Sequence, residues 1–409
     1  MARTQPGARV LIYSHDTFGL GHLRRCRTIA HALVERFQDL SVLILSGSPI
    51  IGSFDFRARV DFVRIPGVIK LRNGEYTSLN LHIDIEETLK MRSSIIKHTA
   101  EAFDPDVFIV DKEPLGLRGE VEETLYMLKE RGAHLVLGLR DVLDEPALLE
   151  PEWQRKRALP ALRRVYDEVW IYGLPQICEP LADINLPREI ERKITYTGYL
   201  PRSVSVQLPT ARTLEITRRP YILVTTGGGG DGEALVDWVL RAYESDPMLP
   251  YPALLVFGPF MQPERQSDFL DRANRLRRVE AITFDPHMEV LEKNAAGVVS
   301  MGGYNTFCEV LSLDKRAIMV PRMAPRLEQY IRVSRAAELG LVRMLVDDGH
   351  YDAKVMADAL RALPSQKLPS EIVVPGLLEG LVNVSRLVEP WVTPSNNEAQ
   401  ARKIVPHRA

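Results

Sequence analysis

Residues 296–330 carry the clearest structural signal in the chain and read AGVVSMGGYNTFCEVLSLDKRAIMVPRMAPRLEQY. A short β-branched run is followed by a pair of glycines, a helical pattern and a second apolar run that ends in MVPR. Short apolar runs separated by helical segments are typical of strands buried on both faces of a parallel sheet. The stretch therefore predicts a strand, a tight turn, a crossover helix and a second strand.

The same alternation extends outward and occurs twice in the 409 residues. In the first half, strands are predicted near 8–14, 41–46, 60–65, 106–111, 134–139, 167–172 and 194–197, and helices near 22–37, 82–102, 118–131 and 152–165. In the second half, strands are predicted near 221–226, 253–258, 280–284, 297–300, 316–320 and 342–346, and helices near 231–244, 262–276, 287–294, 304–312, 326–339 and 351–362. Two such series predict an α/β fold of two doubly wound, Rossmann-like domains that face a central cleft.

The changeover between the series lies in TGYLPRSVSVQLPTAR (197–212), where the hydrophobic periodicity is weak. We place the boundary near residue 205, which gives a first domain over 1–205 and a second over 206–389. The remaining residues, 390–409, are rich in Pro, Asn, Gln and charge, which is typical of a frayed tail.

Composition excludes several classes of protein. Hydrophobic residues make up 45% of the chain, and the net charge of −2 gives no electrostatic argument for binding nucleic acid. The three cysteines lack CxxC or Cys/His ligand spacing, so we expect neither zinc nor disulfides, and a cytoplasmic location fits best. No stretch approaches the roughly 18 apolar residues of a membrane span, which leaves open only a peripheral membrane contact.

The residues after strand AGVVS are suited to a phosphorylated ligand. Gly302 and Gly303 let a phosphate approach the backbone, and the N–H groups at the start of the next helix favour a diphosphate. Glu309 lies about one and a half turns into that helix, within reach of two ribose hydroxyls. The segment 325–329, PRLEQ, opens the following helix with polar groups that could hold sugar hydroxyls. The alternative is a glycine turn with an incidental acid.

At these residues the sequence resembles the GT-B glycosyltransferases, especially those that share a C-terminal domain with the enzyme that adds N-acetylglucosamine to the peptidoglycan lipid intermediate. The likeness extends to plant and macrolide glycosyltransferases. It implies a nucleotide-sugar site with the diphosphate at Gly302, Gly303, Asn305 and Thr306, the ribose at Glu309 and the sugar at Glu328 and Gln329, next to Arg326. The departure from the family pattern is Tyr304, a bulky residue at the helix start.

A second glycine cluster, TTGGGGDG at 225–232, follows the strand YILVTT. It contains GxGxxG, so a dinucleotide-binding fold is a rival interpretation. That fold also needs an acidic residue at the end of the next strand, which here reads ALLVFGPF. The GT-B resemblance instead implies a loop that faces the cleft and the phosphates of the sugar donor, formed by Gly227, Gly228, Gly229 and Gly230.

The segment FDPHMEVL, at 284–291, is expected to form the wall beside the nucleotide base. The resemblance implies that backbone groups near His287 and Met288 contact the edge of the base, which is often uracil in the family. The imidazole of His287 itself is interpreted as a surface group or a helix cap.

In the first domain, the opening strand leads into GLGHLRR at 19–25. His22 would lie at a helix N-terminus, which disfavours the imidazolium and suits a general base, although it could simply cap the helix. The GxGHxxR pattern resembles the N-terminal signature of related nucleotide-sugar enzymes, in which the histidine lies at the catalytic centre. We assign Gly21 to the sugar-donor site and Arg25 to the acceptor site.

The strand DVFIVD ends at Asp111, at the same edge of the sheet as His22. In plant glycosyltransferases of this fold, an aspartate at the end of a comparable strand orients the catalytic histidine, so His22 and Asp111 are the candidate catalytic pair. The alternatives are that Asp111 or Glu113 binds the acceptor, or that His15 or Asp16 is the base. The DPD sequence at 104–106 precedes its strand and is interpreted as a turn rather than a metal motif.

The resemblance implies transfer of a hexose-type sugar from a nucleoside diphosphate sugar, uridine-linked by analogy, to a hydroxyl acceptor. No metal and no cofactor other than the sugar donor as co-substrate are expected. The long loop 66–82 is expected to contact the unknown acceptor through Arg72, Tyr76 and His82. The alternatives are a nucleotide-sugar hydrolase or epimerase, and a non-catalytic nucleotide-sugar-binding protein.

Overall fold

The computed structural model describes residues 7–15, 21–71, 75–143, 146–203, 214–228, 230–285, 287–324 and 326–393. Two parallel sheets, each covered by helices, correspond to the two predicted series, and the α/β class is confirmed. The domain division at residue 205 falls within 204–213, outside the described residues.

The first domain is built on a seven-stranded sheet. Its strands are β1 (Ala8–Ser14), β2 (Leu40–Ser46), β3 (Val60–Arg64), β6 (Val107–Asp111), β7 (His134–Arg140), β8 (Glu168–Tyr172) and β9 (Ile194–Tyr196), with a separate hairpin of β4 (Val68–Lys70) and β5 (Tyr76–Ser78). Its helices are α1 (Gly21–Arg36), α2 (Ile85–Phe103), α3 (Glu122–Glu130), α4 (Pro146–Arg155), α5 (Ala158–Arg164) and α6 (Arg188–Glu191). The spatial order β3-β2-β1-β6-β7-β8-β9 places the ends of β1 and β6 side by side.

The second domain repeats the arrangement with six parallel strands. They are β10 (Ile222–Thr225), β11 (Ala253–Val256), β12 (Val279–Ile282), β13 (Gly297–Ser300), β14 (Ala317–Met319) and β15 (Arg343–Met344). The helices are α7 (Glu233–Ser245), α8 (Pro263–Asn274), α9 (Met288–Asn294), α10 (Tyr304–Ser312), α11 (Glu328–Glu338), α12 (Ala353–Ala362) and α13 (Gly380–Val392). Because β10 lies between β11 and β13, the chain reverses its winding there, and the loops after these strands border the crevice.

The central strands form because their apolar runs are covered on both faces. Residues 10–13 of β1, VLIY, are fully buried between β2 and β6. Burying each large aliphatic side chain contributes about 1.5–3 kcal/mol, so this run fixes the middle of the sheet. Helix α1 packs Leu23, Ile29 and Leu33 against the same core.

Two segments differ from the sequence-based prediction. The loop predicted at 66–82 contains the β4–β5 hairpin, with Val68 opposite Ser78. The helix predicted at 152–165 is divided into α4 and α5, because Arg157 adopts φ 51° in the left-handed region and interrupts the helical hydrogen bonds. A three-residue strand and a single-residue break are too short to leave a periodic pattern.

Helix α13 returns to the first domain, although it follows the second in sequence. Val384 and Val388 are fully buried in the core shared with α1, and the Trp391 indole stacks on His134 with ring centroids 3.8 Å apart. The helix extends to Val392, so the predicted tail begins inside it, and residues 394–409 lie outside the described residues. Within the described chain, no helix has the length and apolarity needed to cross a membrane.

Candidate active site between the two domains

A cleft of about 720 Å³ lies between the domains, at the loops that follow the strands of both sheets. Its first-domain wall consists of Gly21, His22, Arg24, Arg25, Arg27, Phe54, Leu71 and Arg140. The residues predicted for the sugar donor that line its second-domain wall are Gly227, Gly228, Gly230, Met288, Gly303, Tyr304, Asn305, Thr306, Glu309, Glu328 and Gln329. The structure thus brings residues that are distant in sequence around one cavity.

The N-terminus of α10 opens into the cleft. Gly303 is its N-cap residue, no described side chain caps the first turn, and a Cβ atom at Gly303 would meet no heavy atom within 4 Å. Gly302 adopts φ 77°, and a Cβ atom there would lie 2.2 Å from Cγ2 of Val333, so the turn requires glycine. Free N–H groups and the positive end of the helix dipole make this position suited to an anion.

The loop that leads into α7 lines the cleft as well, at Gly227, Gly228, Gly230 and Asp231. The N-cap residue of α7 is Gly232, again with no side-chain cap among the described residues. Gly227 adopts φ 67° with open space around its Cβ position, and the carbonyl of Gly228 accepts a hydrogen bond from the Phe260 N–H at 2.9 Å. The N-terminus of α10 and the glycine loop before α7 therefore border one space, which is suited to a diphosphate.

Glu309, predicted to hold the ribose, forms an ion pair with Arg24 of the first domain, and the Glu309 side chain is only 2% exposed. Glu292 of α9 lies beside it, also buried. Burial and the Glu309 carboxylate raise the pKa of Glu292 well above its usual range. Glu292 is therefore favoured in its neutral form, beside the Glu309 side chain that pairs with Arg24.

Glu328 and Gln329, predicted to hold the sugar, begin α11 and are nearly buried. Glu328 forms an ion pair with Arg322, which also pairs with Asp231. Burial opposes ionisation of Glu328, but the Arg322 guanidinium outweighs it and lowers the pKa of that carboxyl. The Gln329 side-chain oxygen accepts a hydrogen bond from the backbone N–H of Arg322 at 3.1 Å. This bond holds the loop between β14 and α11 in place.

Tyr304 and Asn305 connect the two domains through their side chains. The Tyr304 hydroxyl donates to the Tyr172 carbonyl at 2.9 Å. The Asn305 amide donates to the Gly21 carbonyl at 3.1 Å, while its oxygen accepts from Arg202 at 2.6 Å. The bulk of Tyr304 thus points into the domain interface, and its position leaves the backbone of the first helical turn at the cleft wall.

His22 and Asp111 are in direct contact at the edge of the first sheet. His22 Nδ1 lies 2.5 Å from Asp111 Oδ2. Arg25 holds the other side of the carboxylate, with Nε and Nη2 donating to Oδ1 at 2.9 and 2.6 Å. Arg25, which sequence analysis assigned to the acceptor, is 1% exposed and instead locks Asp111 in place.

The charges in this group are set by burial and by Arg25. Burial alone would raise the pKa of Asp111, but the Arg25 and His22 side chains outweigh it, so that pKa lies well below its usual range. Burial lowers the pKa of His22 to about 4 against the opposing effect of Asp111. The imidazole is therefore neutral at pH 7, and an ionised Asp111 accepts its Nδ1–H, which leaves Nε2 as the proton acceptor.

A fully buried ion pair holds the glycine turn of the second domain against the first domain. Arg332 of α11 donates from Nε and Nη2 to Asp141, both at 2.6 Å, and from Nη1 to the Gly302 carbonyl at 3.1 Å. The Tyr199 hydroxyl donates a further hydrogen bond to the Asp141 carboxylate at 2.7 Å. Removing one partner of such a pair is expected to cost about 3–5 kcal/mol, so it fixes how the domains face each other.

Several predicted site residues lie elsewhere. Gly302 lies beneath the cleft wall, His287 begins α9 with its N–H bound to Asp285, and Arg326 contacts Glu152 at 3.4 Å. Of the predicted acceptor residues, Tyr76 lines a separate first-domain cavity and His82 is exposed away from both cavities. Gly229 and Arg72 lie outside the described residues.

Sequence analysis missed Arg24, Glu292 and Arg140, all of which line the cleft. Arg140 ends β7, and its Nε is buried without a hydrogen-bond partner in the described part of the chain. Glu292 could have been found, because it lies one helical turn after Met288 and so shares its face of α9. Nothing in the local sequence distinguishes Arg24 from Arg25.

Comparison with known proteins agrees with this geometry. Residues 222–363 match the model of the glycosyltransferase family 28 C-terminal domain. A search of the curated proteins finds no significant match.

Solved structures similar to the whole chain include glycosyltransferases. A UDP-glucosyltransferase from Polygonum tinctorium capable of glucosylating indoxyl aligns over 96% of this chain and 100% of its own, with TM-score 0.62 and 13% identity. Phytolacca americana UGT2, solved with UDP-2-fluoro-glucose and pterostilbene, aligns over 97% and 99%, with TM-score 0.60 and 13% identity. Acinetobacter baumannii MurG aligns over 94% and 99%, with TM-score 0.56 and 14% identity.

These structural likenesses, at low identity, concern the fold, whereas the family match concerns the sequence of the second domain. Together they confirm the predicted GT-B architecture and the resemblance of the second domain. The chain has the GT-B fold, and its residues 222–363 match the glycosyltransferase family 28 C-terminal domain.

Proposed function

We propose that the protein transfers a sugar from a UDP-sugar to a hydroxyl acceptor, with His22 as the general base. The observation that carries the proposal is the joint placement of two groups on one cleft. A neutral histidine held by Asp111 lines one wall, and the N-terminus of α10, the glycine loop before α7 and buried Glu309 line the other.

The proposed step moves one proton and exchanges one bond. His22 Nε2 takes the proton from the acceptor hydroxyl, whose oxygen forms a bond to the anomeric carbon of the sugar as the bond from that carbon to the diphosphate oxygen breaks. Asp111 stays ionised and stabilises the imidazolium that forms. The diphosphate leaves with an additional negative charge, directed towards the N-termini of α7 and α10.

The proposed ribose contact replaces an existing ion pair. Glu309 would accept hydrogen bonds from the two ribose hydroxyls and release Arg24, which lines the same cleft. The base would lie against the wall formed by Phe284 and Met288. Uridine is supported by Phytolacca americana UGT2, which was solved with a UDP-sugar in the same fold.

We also propose that the departing charge is stabilised without a divalent ion, because the N-terminus of α10, the glycine loop before α7 and Arg322 lie on the cleft wall. The expected result is that turnover persists in excess EDTA. A complete loss that Mg²⁺ or Mn²⁺ restores would contradict this part of the proposal. We further propose that the transferred group is a hexose and that the protein acts in the cytoplasm.

The deciding experiment incubates the full chain with a panel of UDP-sugars, with and without mixed hydroxyl acceptors, and measures UDP release and product mass. Transfer predicts UDP release that depends on an acceptor and a product heavier by one sugar. Free sugar released at full rate without any acceptor would identify a hydrolase instead. Binding of UDP-sugars without turnover would identify a nucleotide-sugar-binding protein.

A further inference from the structure

A second cavity, of about 320 Å³, lies within the first domain, and His15 forms part of its wall. Its wall is formed by the loop 113–119, by Tyr76 of the β4–β5 hairpin and by residues 155–157 between α4 and α5. The volume lies at the lower end of the range for small-molecule sites. None of the predicted contacts to the nucleotide lies on its wall.

His15 connects this cavity to the catalytic centre. It lines the cavity, and its ring centroid is 5.8 Å from that of His22, with the two rings nearly perpendicular. The His15 side chain is 3% exposed, yet Nδ1 has no hydrogen-bond partner among the residues that the structure describes. The cavity wall therefore reaches the immediate neighbourhood of His22 through the His15 ring.

The wall of the cavity is strongly cationic. Among the described residues of the wall, Arg118, Arg155, Lys156 and Arg157 are cationic and Glu113 is the only carboxylate. Lys156 already pairs with Glu113 at 2.7 Å, so the positive charge of the three arginines is not balanced within the wall.

The ion pairs of these arginines outside the cavity are open to solvent. Arg118 pairs with Glu86, and Arg157 pairs with Glu122, with 42% and 65% of the two arginine side chains exposed. Such exposed pairs contribute little, so a ligand can replace them. Arg155 has no ion pair in the described chain.

Two of the arginines have a backbone conformation that residues other than glycine rarely adopt. Arg118 has φ 49° and Arg157 has φ 51°, both in the left-handed region. Backbone strain of this kind costs on the order of 1–3 kcal/mol per residue and tends to occur at ligand sites. In both cases it accompanies an arginine on the wall of the same cavity.

We propose that this cavity binds the acceptor and that the acceptor carries an anionic group, a phosphate or a carboxylate, next to the hydroxyl that receives the sugar. The anion contacts Arg155 and Arg157, and the acceptor hydroxyl extends past the His15 ring towards His22. This inference rests on the proposed transfer reaction and adds the chemical class of the acceptor.

The binding experiment uses three ligands that differ only at C6, namely glucose 6-phosphate, glucuronate and glucose, titrated by calorimetry into the full chain without a sugar donor. We expect one or both anions to bind at least about tenfold more tightly than glucose, because charged hydrogen bonds are the stronger ones. The phosphate and carboxylate arms show which anion fits.

The test variant is R155A/R157N, in which Asn replaces the arginine at the left-handed position because Asn tolerates that conformation. We expect it to lose the preference for the anion, whereas R164A, an exposed arginine on α5 away from the cavity, keeps it. Equal binding of all three ligands, no binding of either anion, or an unchanged double variant would overturn the inference.

The two proposals can fail separately. With UDP-glucose present, transfer to neutral acceptors alone would contradict the anionic acceptor and leave the transferase intact. Bound anions with no turnover of any UDP-sugar would contradict the transferase and leave the anion site intact.

Discussion

Asp111 and Glu309 are both buried carboxylates at the cleft, each 2% exposed, but their counter-ions come from different places. Asp111 is held by Arg25 within its own domain, whereas Glu309 is held by Arg24 from across the cleft. Arg24 and Arg25 are neighbours on α1, and successive side chains on a helix point about 100° apart. One helical turn therefore supplies both a permanent partner and a replaceable one.

The difference separates the roles of the two sites. Arg25 makes three hydrogen bonds to Asp111, so the Asp111–His22 geometry exists before any ligand binds. Arg24 contacts Glu309 by a single nitrogen and is 25% exposed, so a ligand that brings its own hydroxyl groups can replace it. We interpret the first site as preorganised and the second as completed by the sugar donor.

The largest expected effect is that of His22→Ala. Removing a general base lowers the rate by about 10²–10⁴-fold, and kcat for acceptor-dependent transfer should fall by that amount while UDP binding persists. The measurement is steady-state UDP release together with UDP titration. His98→Ala, on the exposed face of α2, is the matched control. Wild-type rates in His22→Ala would remove His22 from the mechanism.

Glu309→Gln tests the site at which the sugar donor is proposed to replace Arg24. Losing charged hydrogen bonds to the ribose is expected to weaken UDP binding by about 10–100-fold, with a smaller change in kcat for bound donor. Calorimetric titration of UDP gives the affinity directly. If Glu309→Gln bound UDP as tightly as the wild type, the ribose assignment would be wrong.

The pH profile of the wild type tests the preorganised pair of His22 and Asp111. Only the neutral imidazole accepts a proton, and the pKa of His22 is lowered to about 4, so the active form persists as pH falls and is lost only below about pH 4. We expect kcat/KM to change little between pH 7.5 and 5. An unperturbed histidine would lose about thirtyfold over this range. Such a loss would contradict the burial of His22 in the working enzyme.

Glu292→Gln should have the smallest effect and provides the control for Glu309. Because burial and Glu309 raise the pKa of Glu292, Gln replaces a carboxyl that is already favoured in its neutral form. UDP affinity and kcat/KM are expected to stay within about threefold of wild type. A loss as large as that of Glu309→Gln would show that Glu292 is the charged ligand.

The sequence predicts the strands and helices of both domains closely where the apolar pattern is long. It places β1, β13 and α10 within one residue of their ends, and it predicts His22, Asp111 and Glu309 as site residues from their positions at the ends of strands or in the helix that follows. It misses α13, because the apolar face of that helix is explained only by packing against α1, and α1 lies more than 340 residues earlier.

The residue types at the site could therefore be predicted from the sequence, but the side chains that contact them could not. Local spacing determined the alternating elements, the glycine turns and the residues that follow each strand, because these depend on neighbours a few positions away. Tertiary structure decided that Arg25 holds Asp111, that Arg24 reaches Glu309 and that Glu292 is buried beside it. Those contacts depend on how two separately wound domains meet, and neither hydrophobic periodicity nor turn chemistry encodes that geometry locally.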